Sequence, residues 1–107
     1  MYVKVYQYHI KQDKQEEYLR LQKRTLQIYK RYTKYETLYL NSEADESKWI
    51  EIMRYDSRED CSRSTENINR HPEIQGLFEE FEKLLSEEKK EITEDNFHLV
   101  IIEDQKP

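Results

Sequence analysis

Glycine is almost missing from this chain: Gly76 is the only one in 107 residues. A loop that closes backbone N–H groups around a phosphate needs several, so P-loop and dinucleotide-binding readings are excluded. Cysteine is as scarce. Cys61 stands alone, which rules out an intrachain disulfide and any CxxC metal or redox pattern. A reducing compartment fits, and the position of Cys61 near Ser64 and Thr65 suits a small buried residue better than a nucleophile. No apolar run approaches the ~18 residues of a membrane span, and no signal peptide opens the chain. A soluble, cytoplasmic protein with no membrane partner is the expectation.

What the chain has in excess is charge and tyrosine. Charged residues make up 38% and hydrophobic ones only 36%, yet nine tyrosines, three phenylalanines and one tryptophan keep the composition from that of a disordered segment. Tyrosine buries area while keeping a polar tip, so clefts and interfaces are expected. The net charge of −5 opposes general nucleic-acid affinity. Its sign is uneven. Residues 1–35 carry nine Lys/Arg against three Asp/Glu, and Arg20, Lys23, Arg24, Lys30, Arg31 and Lys34 include no acid between them. That run reads either as an anion or protein contact, or as the solvated face of a helix.

Along the chain, Tyr2–Ile10 alternates as a strand, with Val3, Val5, Gln7 and His9 on one side. Asp13 with Glu16 offers an acidic capping box for a helix to about Tyr32. Its stripe is Tyr18, Leu21, Thr25, Ile28 and Tyr32. Tyr35–Leu40 and Lys48–Tyr55 read as strands either side of the polar stretch Asn41–Ser47. Ser57 offers an N-cap three residues before Asp60. Two helical stretches follow, divided at His71-Pro72, the second with Ile74, Leu77, Phe78, Phe81, Leu84 and Leu85 on one stripe. Asn96–Ile102 closes as a last strand, and residues 104–107 form a polar tail. The whole is one domain over residues 1–103.

The order β-α-β-β-α-β is the split βαβ arrangement: an α+β, ferredoxin-like, four-stranded antiparallel sheet with both helical segments on one face. Tyr6, Tyr8, Tyr39, Trp49, Met53 and Tyr55 fall on what is expected to be the uncovered face. A bare aromatic face of that size does not persist on a soluble monomer, so a homodimer with stacked sheets is expected. RNA-recognition motifs share the element order and the aromatic strands, but Lys48–Tyr55 has no glycine and carries Glu51.

In its order and lengths, and in three stretches, the chain resembles the dimeric α/β-barrel superfamily and its antibiotic-biosynthesis monooxygenase-like domains. The stretches are Trp49–Tyr55 running into Ser57-Arg58-Glu59-Asp60, His71-Pro72-Glu73 before Leu77-Phe78-Glu79-Glu80-Phe81, and the last strand after Ile92-Thr93-Glu94-Asp95. The resemblance spans residues 2–102. It implies either cofactor-free oxidation of a small planar quinol or phenol, or a non-catalytic ligand-binding or protein-interaction dimer. Haem-degrading members use an Asn on the first strand and a Trp and a His on the second helix. Here Gln7, Ser64 and the early His71 depart from that pattern, and no cofactor is implied.

Glu51, on the strand face of Trp49, and His71, at the helix boundary, are the candidate catalytic bases. Gln7, His9, Trp49, Met53, Tyr55 and His98 are the candidate pocket residues. If the first and last strands pair, Gln7 or His9 would lie near His98, and the two histidines would form an acid–base pair or ligate a metal, although no HxxH or HxxxH spacing supports a metal. Against each stands a plainer reading: structural or surface histidines, and core packing for the aromatic residues.

Overall fold

The computed structural model describes residues 1–100 of the chain. Four strands form one antiparallel sheet: β1 (Tyr2–His9), β2 (Leu38–Asn41), β3 (Lys48–Tyr55) and β4 (Thr93–His98), in the order β2-β3-β1-β4. Helix α1 (Gln15–Tyr29) joins β1 to β2, and α2 (Arg58–Arg70) and α3 (Ile74–Leu84) join β3 to β4. This is the ferredoxin-like arrangement that the element order implies, with the second crossover broken in two at His71-Pro72. Arg70 ends α2 because His71 turns to extended backbone before Pro72, as the residue ahead of a proline prefers.

The helix stripes behave as the spacing predicts. Tyr18, Leu21, Thr25 and Ile28 of α1 are buried, as are Leu77 and Leu84 of α3, while Phe78 stays on the rim at 46% exposure. Ser57 caps α2, its hydroxyl oxygen accepting from the Asp60 N–H at 3.1 Å. The expected capping box at Asp13 and Glu16 does not form. A 3₁₀ turn at Gln12–Lys14 leads into α1 without a side-chain cap. The chain entering the turn is pinned: the Ile10 N–H donates to the Ser47 carbonyl, the Lys11 N–H donates to the Leu84 carbonyl, and Ile10 bridges to Leu85. Gln15 then ties the turn down, its Nε2 donating to the carbonyls of Ile10 and Lys11.

Element ends also differ from the alternation in the sequence. Helix α1 stops at Tyr29, and Lys30–Tyr32 continue only as turns. Strand β2 begins at Leu38, three residues later than the pattern suggests, because Tyr35 is drawn away. Its hydroxyl donates to Asp56, and the Arg54 guanidinium lies over its ring. Strand β4 begins earlier, at Thr93, and pairs with β1 from Gln7↔Thr93 to Tyr2↔His98. Past that register the Met1 carbonyl accepts from the Leu99 N–H. Residues 101 and 102, included in the expected last strand, lie outside the described residues.

The largest correction concerns the faces of the sheet. Tyr8, Trp49, Met53 and Tyr55 are buried beneath the helices, with Tyr6 and Tyr39 partly buried against the same core. The open face carries Val3, Val5, Ile50 and Ile52, half-buried, and Leu38 and Leu40, exposed at 41% and 49%. Aromatic residues suit the inner side because they reach across the gap of about 10 Å between layers. Their hydroxyls also find partners on α1: Tyr39 donates to Gln22 Oε1 at 2.9 Å, and Tyr8 pairs with Tyr18.

Candidate functional site

Between sheet and helices lies a cavity of about 340 Å³, within the usual range for small-ligand sites. Its floor is Tyr6, Tyr8 and Glu51, from the two central strands. Leu21, Gln22, Thr25 and Tyr29 of α1 form one wall, and α3 with Leu77 and Phe81 forms the other. The mouth opens where Asn69, Gln75, Phe78 and Ile92 meet, all of them exposed.

Glu51 is the chemical centre of this cavity. Strand pairing aligns it with Tyr6 on β1 and Tyr39 on β2, so the pleat turns all three toward the helices. It is 6% exposed and has no cationic partner in salt-bridge reach among the described residues. Among the described residues its carboxylate accepts one hydrogen bond, from Tyr8 Oη at 3.4 Å. Burial pushes its carboxyl up from its ordinary 4.5 to about 7, with the Tyr8 hydroxyl opposing the rise. The surrounding tyrosines respond in kind. Desolvation, then the nearby Glu51 charge, holds the Tyr8, Tyr29 and Tyr39 hydroxyls well above the ordinary phenol value. They therefore act as neutral donors rather than as phenolate bases.

The arrangement supplies one carboxylate that can exchange a proton near neutral pH, a ring of phenol donors and an aromatic wall. Tyr8 meets Phe81 edge-on, with ring centroids 4.8 Å apart. A planar compound bearing a hydroxyl is complementary to such a lining. Among the described residues no three His, Cys, Asp or Glu side chains converge to hold a metal ion.

The other residues singled out from the sequence are scattered. Trp49 is buried beside the cavity, packed on Tyr18 at 4.6 Å, with its indole N–H donating to Gln15 Oε1. Met53 and Tyr55 belong to a separate cluster with Cys61. Gln7 pairs with Ile50 and Thr93 on the open face. His71 terminates α2 outside the cavity lining, its Nδ1 accepting from the Glu73 N–H. The expected approach of His9 to His98 does not occur. His9 pairs with Lys48 and lies 3.5 Å from Asp45, whereas His98 pairs with Tyr2 and meets its ring edge-on. The two sit at opposite ends of β1, about 23 Å apart along the strand. Tyr6, Tyr8, Gln22 and Tyr29 line the cavity without having been candidate site residues in the sequence. The usable signal was a carboxylate set among aromatic residues on a single strand face.

No protein-family model matches the sequence, and no curated protein matches it. Solved structures do match the fold. A NIPSNAP-domain protein from Burkholderia xenovorans superimposes with a TM-score of 0.80 at 15% identity, over 98% of this chain and 100% of that one. A NIPSNAP-family protein from Agrobacterium tumefaciens gives 0.76 at 17% identity, covering 92% of each chain. An antibiotic biosynthesis monooxygenase gives 0.73 at 12% identity, over 94% of this chain and 100% of that one. The chain thus shares the ferredoxin-like fold of these proteins.

Proposed function

We propose that the cavity over Glu51 takes a small planar hydroxyaryl compound, a quinol or phenol, and that Glu51 is the base that prepares it for cofactor-free oxidation by dioxygen. The observation that carries this reading is a buried carboxyl without a cationic partner among the described residues, on the floor of an aromatic cavity, where desolvation pushes it up to about 7. In the quinol case Glu51 accepts one hydroxyl proton, and the resulting anion is the electron-rich species. Two electrons and the remaining hydroxyl proton then pass from the quinol anion to dioxygen, and Glu51 gives up the proton it took, so that the products are the quinone and hydrogen peroxide. The Tyr8 hydroxyl, already bonded to Glu51, orients the carboxylate, and Phe81 presents its ring to the substrate plane. The monooxygenase among the fold neighbours makes oxidation the first reaction class to test.

Dioxygen uptake with a naphthohydroquinone is the direct measurement. Turnover that rises with pH through about 7 and is lost in Glu51→Gln supports the proposal. Equal turnover in both proteins removes it. Quenching of Trp49 fluorescence by the same compound without oxygen uptake favours the non-catalytic, ligand-binding reading.

A second proposal concerns the partner. The open sheet face is aliphatic where a solvated face is polar, with Leu38, Leu40 and Phe97 each more than 40% exposed. We infer that a second copy of this chain covers it, sheet against sheet. Sedimentation at micromolar concentration tests this: a dimer is expected, and a stable, compact monomer overturns it.

A further inference from the structure

A second hollow lies at the edge of the sheet, and it shares no lining residue with the cavity over Glu51. Strand β2 pairs with β3 only over Trp49–Ile52. The last three residues of β3 run on without a neighbour on that side. The chain after α1 stands off from them, and the notch left between that turn, the end of β3 and α2 has a volume of about 470 Å³.

Its charges are unequal. Arg31, Lys34, Arg54 and Arg63 face only Asp56 and Asp60. Both carboxylates are already taken: Asp56 accepts from Lys34 at 3.1 Å and from the Tyr35 hydroxyl, and Asp60 accepts from Arg63 at 3.1 Å. Arg31 and Arg54 have no carboxylate within salt-bridge reach among the described residues. The Nη1 of Arg31 lies 3.4 Å from His71 Nε2. Arg54 stacks over the Tyr35 ring at 5.5 Å, and its Nε is shielded from solvent with no hydrogen-bond partner among the described residues. A shielded donor on a charged group is unfavourable until an acceptor arrives. The planar guanidinium fork matches the oxygens of a phosphate or carboxylate. A net-positive hollow also runs against the chain's own average charge of −5.

The geometry points to a binding site for an oxyanion-bearing small molecule, phosphate or carboxylate, held in this notch by Arg31 and Arg54. The site is independent of the chemistry proposed for Glu51. Its test is titration of the full chain with inorganic phosphate, and separately with acetate, at an ionic strength fixed by chloride. Binding is read by calorimetry and by amide NMR shifts. Saturable binding of either anion, with shifts confined to residues 31–35, 54–56 and 60–67, is expected, and the tighter of the two names the oxyanion. Arg54→Gln and Arg31→Gln should each weaken binding about tenfold. Arg54→Lys keeps the charge but loses the fork, and should still bind less well than the native chain. Lys23→Gln, on the exposed side of α1 and outside the notch, should change nothing. If Arg54→Gln fails to fold, the exposed Arg31 variant carries the test alone. No saturable binding of either anion, or affinity unaltered by both glutamine variants, overturns the assignment.

Discussion

The two faces of the sheet are built from opposite materials, and the contrast is the reverse of what simple hydrophobicity suggests. The aliphatic face, with Val3, Val5, Ile50, Ile52, Leu38 and Leu40, is the one left without helices. The covered face holds tyrosines, a tryptophan and an ionisable carboxyl. Aliphatic side chains are short and pack flat, which suits contact with another sheet. Tyrosines are long and polar-tipped, and they leave gaps that only helices bearing hydrogen-bond partners can close. Incomplete closure around Glu51 leaves the cavity. On the proposed reading, one face serves association and the other serves chemistry.

If that division is right, substitutions on the covered face should act at any protein concentration, and those on the open face only where copies meet. Tyr18, fully buried between Tyr8 and Trp49, gives the largest effect. Tyr18→Ala should cost about 4 kcal/mol in urea denaturation, equally at low and high concentration. A loss confined to one concentration would place Tyr18 in association rather than in the core.

Glu51→Gln comes next, and its sign depends on pH. The folded-state carboxyl titrates near 7 against its ordinary 4.5, so between those values the native chain holds a proton that the unfolded chain has released. Stability from this group is full below pH 4.5 and falls as pH rises through 7, by about 3 kcal/mol. The variant should match the native chain at pH 4 and exceed it by about that amount at pH 8. A constant offset across the range would mean that Glu51 is solvated in the folded state.

On the open face, Ile52→Ser should cost about 1 kcal/mol in the isolated subunit, because Ile52 is only half-buried there. It should cost more at concentrations where the dimer forms. Leu40→Lys is the sharpest probe. At 49% exposure it should shift subunit stability by no more than about 0.5 kcal/mol, while moving the sedimentation profile toward monomer. A Leu40→Lys chain that sediments as the native one does would leave the open face without its proposed partner.

Much of this architecture was legible from residue order. Tyr18, Leu21, Thr25 and Ile28 sit three or four residues apart, and each of them is buried. Ser57 ahead of Asp60 marked a cap that forms. Glu51 was visible as a carboxylate among aromatic residues, and it does line a cavity with Tyr6 and Tyr8. The Asp13 cap failed because Ile10 is held by Ser47 and Leu85, contacts made by residues far along the chain. The histidine pairing failed because strand register follows from where β4 meets β1, and nothing near His98 specifies that. The notch at Arg54 was invisible for the same reason: it exists because β2 stops short of the end of β3.

The chain's own residues settled what is periodic and local: the succession of strands and helices, and which side chains share a pleat. Alternation along a strand separates two sets of residues but carries no sign, so it cannot say which set the helices will cover. Packing decided that, through the reach of Tyr8, Tyr39 and Trp49 to partners on α1. The raised carboxyl of Glu51 is likewise a property of its surroundings, since desolvation arises only once the layers have closed over it.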